Sequence, residues 1–289
     1  MALILSRRAF LQSSSALCVA GGLTAASAAD DAVKPTYENN ATGLRILPGA
    51  WRPHYPWEHI VWVSPSWPSQ DYIWLDFPEA IFTDRGLLFL SHVNPAAPAE
   101  YKDWPKVEWK MGENRVSCER VLPDGVAFTA AVFKEKENVA GLEIGIRNGS
   151  AAPLKEIALQ TCAFLRAIKE FSDFTADNKY VHVPVKGWIK VKEAEKQTED
   201  AGKYGIGWRA RRNHKLDVPM MVTLSNKEER LVAMTWLDAT LSMVQNPNHP
   251  CMHSDPQFHD LEPGQEQTIH GRLIFHEGTL NDFDYAQYL

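Results

Sequence analysis

The chain has 289 residues, a formal net charge of −6, and 45% hydrophobic and 23% charged residues. These fractions are ordinary for a globular protein and exclude a disordered or collagen-like chain. The acidic balance argues against a nucleic-acid partner, which normally meets a basic surface. The sequence also lacks the apolar run of about 18 residues that would predict a membrane span.

The first 28 residues contain the three parts of an export signal in order. Ser6–Gln12 is similar to the twin-arginine motif, an apolar stretch follows, and Ala26-Ser27-Ala28 fits a small-x-small cleavage site. We therefore predict a bacterial protein that the twin-arginine machinery exports to the periplasm or beyond. Residues 1–28 are predicted to be the signal peptide, 29–50 a polar tail or linker, and 51–289 a single domain.

Most of the chain beyond residue 51 alternates between apolar and polar residues, which is typical of half-buried strands. Turn sequences such as Pro123-Asp124-Gly125 separate the alternating runs. Helical periodicity is scarce, and only residues 279–289 are predicted to form a short closing helix, with Thr279 as its cap. The sequence therefore predicts an all-β fold, a large antiparallel sandwich or barrel. The clearest strand runs are 126–132, 142–146, 157–165, 231–237 and 269–275.

Residues 193–217 interrupt this pattern with a charged run, followed by glycines and then arginines. One interpretation is a solvated loop. The alternative is a flap that carries Arg209 and Arg211 toward an anionic group of a substrate.

Three cysteines follow the predicted cleavage site: Cys118, Cys162 and Cys251. An odd number allows at most one disulfide. Cys118 and Cys162 lie in alternating apolar runs, so we predict that they are buried thiols.

Tryptophan is concentrated near the start of the predicted domain, where seven of the ten lie between Trp51 and Trp109. Trp67 and Trp104 adjoin prolines and are predicted to lie on loops, where an indole face can stack on the apolar face of a sugar ring. Trp62 and Trp74 lie in strand-like runs and are predicted to be core residues. The alternative for all of them is that they fill the core, where aromatic side chains bury large areas.

Histidine is concentrated at the other end, with five of ten between residues 249 and 276. The prolines of His249–Asp260 predict a loop, and loops on β scaffolds commonly carry function. His253 or His259 would act as general acid or base there, with Asp255 orienting the imidazole. A weaker alternative is a divalent metal held by His249, His253 and His259. A third is that these histidines only shape the turn.

Two further histidines, His92 and His182, are predicted to line the substrate site together with this loop. The sequence has no Gly-rich phosphate loop, Gly-x-Ser-x-Gly elbow or Cys-x-x-Cys pair. We therefore expect no nucleotide cofactor, and neither a common serine hydrolase nor a thiol redox protein.

Two stretches resemble the large β-sandwich family of sugar-acting proteins whose prototype is galactose mutarotase. One is Phe128–Phe164, where alternating strands end in an Asn and a Pro-Leu pair opens the next strand. The other is Leu261–Phe275, where Pro-Gly-Gln precedes the last long strand. The resemblance implies a supersandwich fold and a carbohydrate ligand, and it assigns no catalytic residue.

The sequence thus predicts an exported protein that recognises or processes a carbohydrate. If it is catalytic, acid–base chemistry on a sugar ring is expected, as in epimerisation or polysaccharide β-elimination. A non-catalytic glycan-binding module would need the tryptophans without the histidines. A periplasmic metalloprotein would use the segment from His249 to His259.

Overall fold

The computed structural model describes residues 42–49, 58–91, 107–165, 167–172, 176–197, 206–207, 216–246 and 249–289. Within these ranges the chain forms seventeen strands and one α-helix, α1 (Val191–Gln197), and every strand pairing is antiparallel. The strands build two sheets that enclose a common core. The predicted all-β antiparallel sandwich is therefore confirmed. No helix in these ranges is long and apolar enough to cross a membrane.

The first sheet, sheet A, carries the features on which the functional argument depends. Its strands run in the order β1-β2-β3-β9-β16-β15-β12, and β4 pairs with the far end of β3. Their bounds are β1 (Ile46–Pro48), β2 (Ile60–Val63), β3 (Ile73–Thr83), β4 (Gly86–Leu90), β9 (Ala158–Phe164), β12 (Ile206–Gly207), β15 (Thr240–Asn246) and β16 (His249–Pro256).

The second sheet, sheet B, has the order β11-β10-β13-β14-β17-β8-β7-β6-β5. Its strands are β5 (Lys110–Gly112), β6 (Arg115–Val121), β7 (Ala127–Lys136), β8 (Val139–Arg147), β10 (Lys179–Val183), β11 (Gly187–Lys190), β13 (Met220–Leu224), β14 (Arg230–Thr235) and β17 (Glu266–Glu277).

Alternate residues of both sheets point into the core, as the period-two pattern predicts. Leu142, Ile144 and Ile146 of β8 are at most 1% exposed, and they meet side chains of sheet A in one cluster. Phe77 of β3 and Trp236 stack at the centre, with ring centroids 5.8 Å apart. This burial supplies the hydrophobic free energy that holds the two sheets together.

The segment His249–Pro256 is a strand, so the prediction of a loop there is wrong. β16 lies between β9 and β15 and pairs with both. Its two prolines, Pro250 and Pro256, fall at its ends, where the pairing with β15 shifts register. Proline is tolerated at such irregular positions because no ladder hydrogen bond is lost there.

Three other predictions of local structure need correction. β1 falls inside the predicted tail and pairs with β2, so the sheet begins by Ile46. The first residues of the predicted 193–217 loop belong to α1. The predicted closing helix is a four-residue 3₁₀ turn, Tyr285–Tyr288, because Thr279 forms a tight turn with Asp282 and the aromatic side chains after it pack onto sheet B.

Candidate functional site

The outer face of sheet A, turned away from the core, carries a row of aromatic side chains. Trp62 pairs with Trp74, Trp74 with Phe164, and Phe164 with Cys251, across β2, β3, β9 and β16. Residues directly opposite each other share a face, and the next residues along β3 and β9, Leu75 and Ala163, point into the core. Trp62 and Trp74 are partly exposed, so the prediction that both are core residues is wrong.

A second row of side chains lies beside the aromatic one on the same face, and it is polar. Asp76 pairs with Cys162, and the β9–β16 register, continued by one residue, places His253 opposite Cys162. Cys251 lies diagonally next to them, and its Sγ is 3.1 Å from Nε2 of His253. Asp76, Cys162, Cys251 and His253 are all less than 8% exposed.

The imidazole of His253 lies between this thiol and two carboxylates. Its Nδ1 is 3.6 Å from Oε2 of Glu79 and 4.0 Å from Oδ1 of Asp255. Asp255 lies near the imidazole but makes no hydrogen bond to it, so its predicted role in orienting His253 stays a prediction. Glu79 is a residue that the sequence prediction missed. A sequence signal for Glu79 exists, because Asp76 and Glu79 are the only acidic residues in the eleven-residue strand β3.

These contacts shift the pKa values of His253 and Asp255. Burial by itself lowers the pKa of His253, but the Cys251 sulfur and the Glu79 and Asp255 carboxylates outweigh it and raise that pKa to about 10. Burial raises the pKa of Asp255 to about 7, against the lowering effects of His253 and of the Thr161 N–H. The acidic groups around His253 therefore favour a positive charge at this position.

Hydrogen bonds from the neighbouring strand hold Asp255 in place. The Thr161 N–H donates to Oδ1 of Asp255 at 3.0 Å, and the Thr161 hydroxyl donates to the Ser254 carbonyl at 2.7 Å. Trp236 Nε1 in turn donates to the Thr161 hydroxyl at 3.4 Å. At the other end of the cluster, the Ser91 hydroxyl donates to Asp76 and accepts a hydrogen bond from the backbone N–H of His59. The site is built on rigid strands rather than on a loop.

The structure does not bring together the predicted metal ligands His249, His253 and His259. Among the described residues, the His, Cys, Asp and Glu side chains whose possible ligand atoms cluster within 4.8 Å are Cys162, Cys251 and His253. His259 is exposed beyond the end of β16, where its N–H donates to the Gln267 side chain at 2.8 Å and it borders a surface cavity of about 610 Å³. His249 opens β16, and its side chain lies outside the described residues.

Trp67 adjoins a proline in a loop, as predicted, but its side chain is fully buried. It stacks against Phe171 at 6.3 Å and meets Phe275 edge-on at 5.7 Å, while the Arg230 guanidinium covers its ring at 4.9 Å. Its predicted role as a stacking platform for a ligand is therefore wrong, because the large indole fills the core instead.

His182 belongs to β10 of sheet B and not to the group around His253. Its Nδ1 is 2.6 Å from Oδ1 of Asp217, and its ring packs against Trp188 and Tyr285. The expectation that it lines the same cleft as His253 is not met among the described residues. Four other predicted site residues lie outside the described ranges: His92, Trp104, Arg209 and Arg211.

The prediction of buried thiols is confirmed for Cys118 and Cys162, and Cys251 is also buried without a disulfide. The side chains around Cys118 differ from those around Cys162 and Cys251. Its Sγ is 3.5 Å from Nδ1 of His59, and the Nε–H of Arg120 donates to Nε2 of the same ring at 3.0 Å.

No protein-family model and no curated protein matches the chain. Among solved structures it is similar to a GalM/aldose epimerase homologue from C. elegans, at 12% identity and a TM-score of 0.45, over 83% of this chain and 98% of that one. A putative aldose 1-epimerase from Escherichia coli K12 is 8% identical, with a TM-score of 0.44, over 81% and 100%. Heparan sulfate lyase HepC from Pedobacter heparinus is 9% identical, with a TM-score of 0.37, over 83% of this chain and 36% of its own. These structures include aldose epimerases, the family whose sandwich the sequence resembles, and no residue role is taken from them.

Proposed function

We propose that the chain is a carbohydrate-processing enzyme that performs acid–base chemistry on a sugar ring at the outer face of sheet A. The observation that supports this most is the adjacency of two rows on one face. The aromatic row of Trp62, Trp74 and Phe164, in which the two tryptophans are partly exposed, lies two residues along the strands from the row that contains His253. The first row offers stacking surface for a ring, and the second offers proton-transfer groups.

The aromatic row suits a sugar because a pyranose has apolar C–H faces and polar edges. An indole can cover such a face while its own polar edge stays accessible. Trp74 and Phe164 lie with their ring centroids 5.5 Å apart and extend the apolar surface up to Cys251. A ring stacked on Trp74 would present its edge to the polar row, where hydroxyl and C–H groups are the atoms that react.

Within the polar row, we assign proton transfer to Glu79 and positioning to Asp255. The side chain of Glu79 is 12% exposed, against 5% for His253 and 9% for Asp255, so it is the member of the group most open to a ligand. His253 stabilises the charged carboxylate of Glu79 from Nδ1, at 3.6 Å, and Asp255 lies 4.0 Å from the same Nδ1, where its charge favours this orientation of the ring. A positioned acid or base of this kind contributes about 10²–10⁴-fold to a rate.

The reaction class that fits is removal of a proton from a ring carbon next to a carbonyl or carboxylate group. The C–H bond breaks, its electron pair passes into the enolate, and the proton goes to Glu79. Return of a proton from water to the other face of the carbon gives an epimer, and Glu79 then releases its proton to water. Departure of the substituent on the next carbon gives an unsaturated sugar. Arg209 and Arg211, which would hold an anionic group of the substrate, stay predictions.

The test is hydrogen exchange at carbon. The protein without residues 1–28 is incubated in D₂O with neutral aldoses and with uronic-acid oligosaccharides, and loss of each ring C–H signal is followed by ¹H NMR. We expect exchange or elimination with one class, and a decrease of about 100-fold or more in Glu79→Gln. His259→Ala is the matched control and should keep the wild-type rate.

Two results would contradict the proposal. One is exchange in Glu79→Gln at the wild-type rate. The other is sugar binding by the wild-type protein without exchange or elimination, which would instead favour a non-catalytic glycan-binding module.

We also propose export to the periplasm by the twin-arginine route, which the residues before Ala29 support. The double variant Arg7→Lys, Arg8→Lys should accumulate in the cytoplasm with its first 28 residues retained. Cell fractionation with an antibody to the folded domain measures this, and periplasmic recovery of that variant at the wild-type level would contradict it.

A further inference from the structure

We propose that Cys162, Cys251 and His253 form a binding site for a zinc ion. The proposal goes beyond the sugar chemistry above and is independent of it, because the metal can be counted without any substrate. It also differs from the metal site predicted from the sequence, since His253 is the one residue that the two sets share.

The backbone places these three donors on the same face of two adjacent strands. Cys251 pairs with Phe164, and the continued register places His253 opposite Cys162. Side chains two residues apart in a strand share a face, so Cys251 and His253 both point toward Cys162. The possible ligand atoms of all three residues lie within 4.8 Å of one another.

The separations are close to those of a tetrahedral zinc centre. With Zn–S of about 2.3 Å and Zn–N of about 2.0 Å, ligand atoms in such a centre lie roughly 3.5–3.8 Å apart. Nε2 of His253 is already 3.1 Å from Sγ of Cys251. Because all three ligand atoms lie within 4.8 Å of one another, changes in their separations of at most about 1.3 Å would complete the geometry.

The donor set selects the metal. Two thiolates and one imidazole are soft to borderline ligands, which favour zinc over calcium or magnesium. Three protein ligands leave the fourth position for a water molecule or a ligand oxygen, as in zinc sites that take part in reactions. Such a position would lie on the same face as Trp74 and Phe164.

The surroundings of His253 suit a metal-bound histidine. Its Nε2 is directed at the thiol, and two carboxylates lie near its Nδ1, Glu79 at 3.6 Å and Asp255 at 4.0 Å, just beyond hydrogen-bond distance. Metal-ligating histidines usually donate their second N–H to a carboxylate or carbonyl, which fixes the tautomer and raises the basicity of the ligand. The two carboxylates also offset positive charge in a buried place.

Cys118 and His59 provide an internal contrast. They too form a buried thiol–imidazole pair, but Nε2 of His59 accepts the Arg120 N–H, and the guanidinium charge lies beside them. A cation would be repelled there, and a second thiol is not part of the pair. Cys118 is thus a matched control for the effect of removing a buried thiol.

The experiment counts zinc in protein purified without a His tag and under reducing conditions. The metal is removed with a chelator, and zinc is titrated back in competition with a chromophoric chelator. We expect one zinc per chain in the unmodified protein. Cys162→Ser and Cys251→Ser should each weaken zinc binding at least about 100-fold, because a ligand is lost, while Cys118→Ser keeps wild-type affinity.

A second measurement avoids dependence on variants that fail to fold. Cobalt(II) added to the unmodified metal-free protein should give thiolate-to-cobalt absorption in the near ultraviolet and the visible bands of a tetrahedral centre. The absence of these bands, the absence of stoichiometric zinc uptake, or full zinc binding in both Cys162→Ser and Cys251→Ser would overturn the proposal.

The two proposals fail separately. Zinc uptake without any proton exchange on sugars leaves this site intact and removes the proposed function. Proton exchange on sugars by a protein that takes up no zinc leaves the proposed function intact and removes this site.

Discussion

Trp74 of β3 and Phe164 of β9 face each other on the outer face of sheet A, with their ring centroids 5.5 Å apart. Trp67, seven residues before Trp74, is fully buried between Phe171 and Phe275. The two tryptophans therefore occupy opposite environments, one at a surface next to buried acids and one in the core. The tryptophan-rich segment and the histidine-rich segment meet in space through β9, which pairs with both β3 and β16.

This contrast predicts opposite effects of two alanine substitutions. Trp67→Ala should lower the free energy of unfolding by about 3–5 kcal/mol, because it leaves a large cavity in the core. Trp74→Ala should cost less stability and weaken sugar binding by about tenfold, since it removes a stacking surface. Urea unfolding and calorimetric titration with the sugar identified by exchange measure the two effects. A Trp74→Ala protein that binds this sugar as the wild type does would contradict the proposed stacking.

The buried imidazole of His59 leads us to expect that the protein loses stability in mild acid. It is fully buried, and burial first and the Arg120 charge second hold its pKa well below the usual value. The groups that face its ring are Cys118 and Arg120 from β6 and the aromatic rings of Phe89, Trp109 and Phe128. The folded protein therefore favours the neutral imidazole.

The sign follows from linkage. Above about pH 6.5 the imidazole is neutral in both states, and it contributes no pH dependence. As the pH falls below about 6.5, the unfolded chain takes up the proton first, so the free energy of unfolding falls by up to about 1.4 kcal/mol per pH unit. Urea unfolding at pH 7, 6 and 5 should show a smaller slope for His59→Gln than for the wild type. Equal slopes would show that His59 does not govern this range.

Asp255 predicts a change in zinc affinity without a change in stoichiometry. Asp255→Asn keeps an oxygen that can accept the Thr161 N–H, now made at 3.0 Å, so the strand stays in place. The negative charge near Nδ1 of His253 is lost, and changes of such outer partners typically cost about 10–100-fold in metal affinity. The competition titration measures this. Asp217→Asn, which changes the partner of His182 on sheet B, is the control and should leave zinc affinity unaltered.

The fold class could be predicted from the sequence because strand alternation is local, and β8 shows it in full with Leu142, Ile144 and Ile146. The proximity of His253 to Asp255 could also be predicted, since residues two apart lie on one side of a strand. The sequence could not predict that Glu79 and Cys162 lie next to these two residues. Their proximity depends on the pairing of β3, β9 and β16, strands that are far apart in sequence, and on the register of those pairings. The strand β16 was not predicted because its prolines are typical of a loop.

The hydrogen bonds of Asn148 predict that a turn outside the candidate site contributes strongly to the stability of the sandwich. This fully buried residue follows β8, and its Nδ2 donates to the carbonyls of Ala152 at 3.0 Å and Leu261 at 2.8 Å. Its Oδ1 accepts the N–H of Ser150 at 3.0 Å. The side chain thus ties the exit of β8 to the segment that leads into β17.

Asn148→Ala would remove three hydrogen bonds of this amide, two that Nδ2 donates and one that Oδ1 accepts, and each contributes about 0.5–1.5 kcal/mol. The Leu261 carbonyl would keep the Leu154 N–H as a donor at 2.9 Å. We therefore expect a loss of at least about 2 kcal/mol in the free energy of unfolding. Ser150→Ala removes only a partly exposed hydroxyl that bonds Oδ1 of Asn148 at 2.7 Å, so it should cost about 1 kcal/mol or less. Urea unfolding of both variants decides the matter. Equal losses would mean that the turn, and not the amide of Asn148, carries the connection between the two strands.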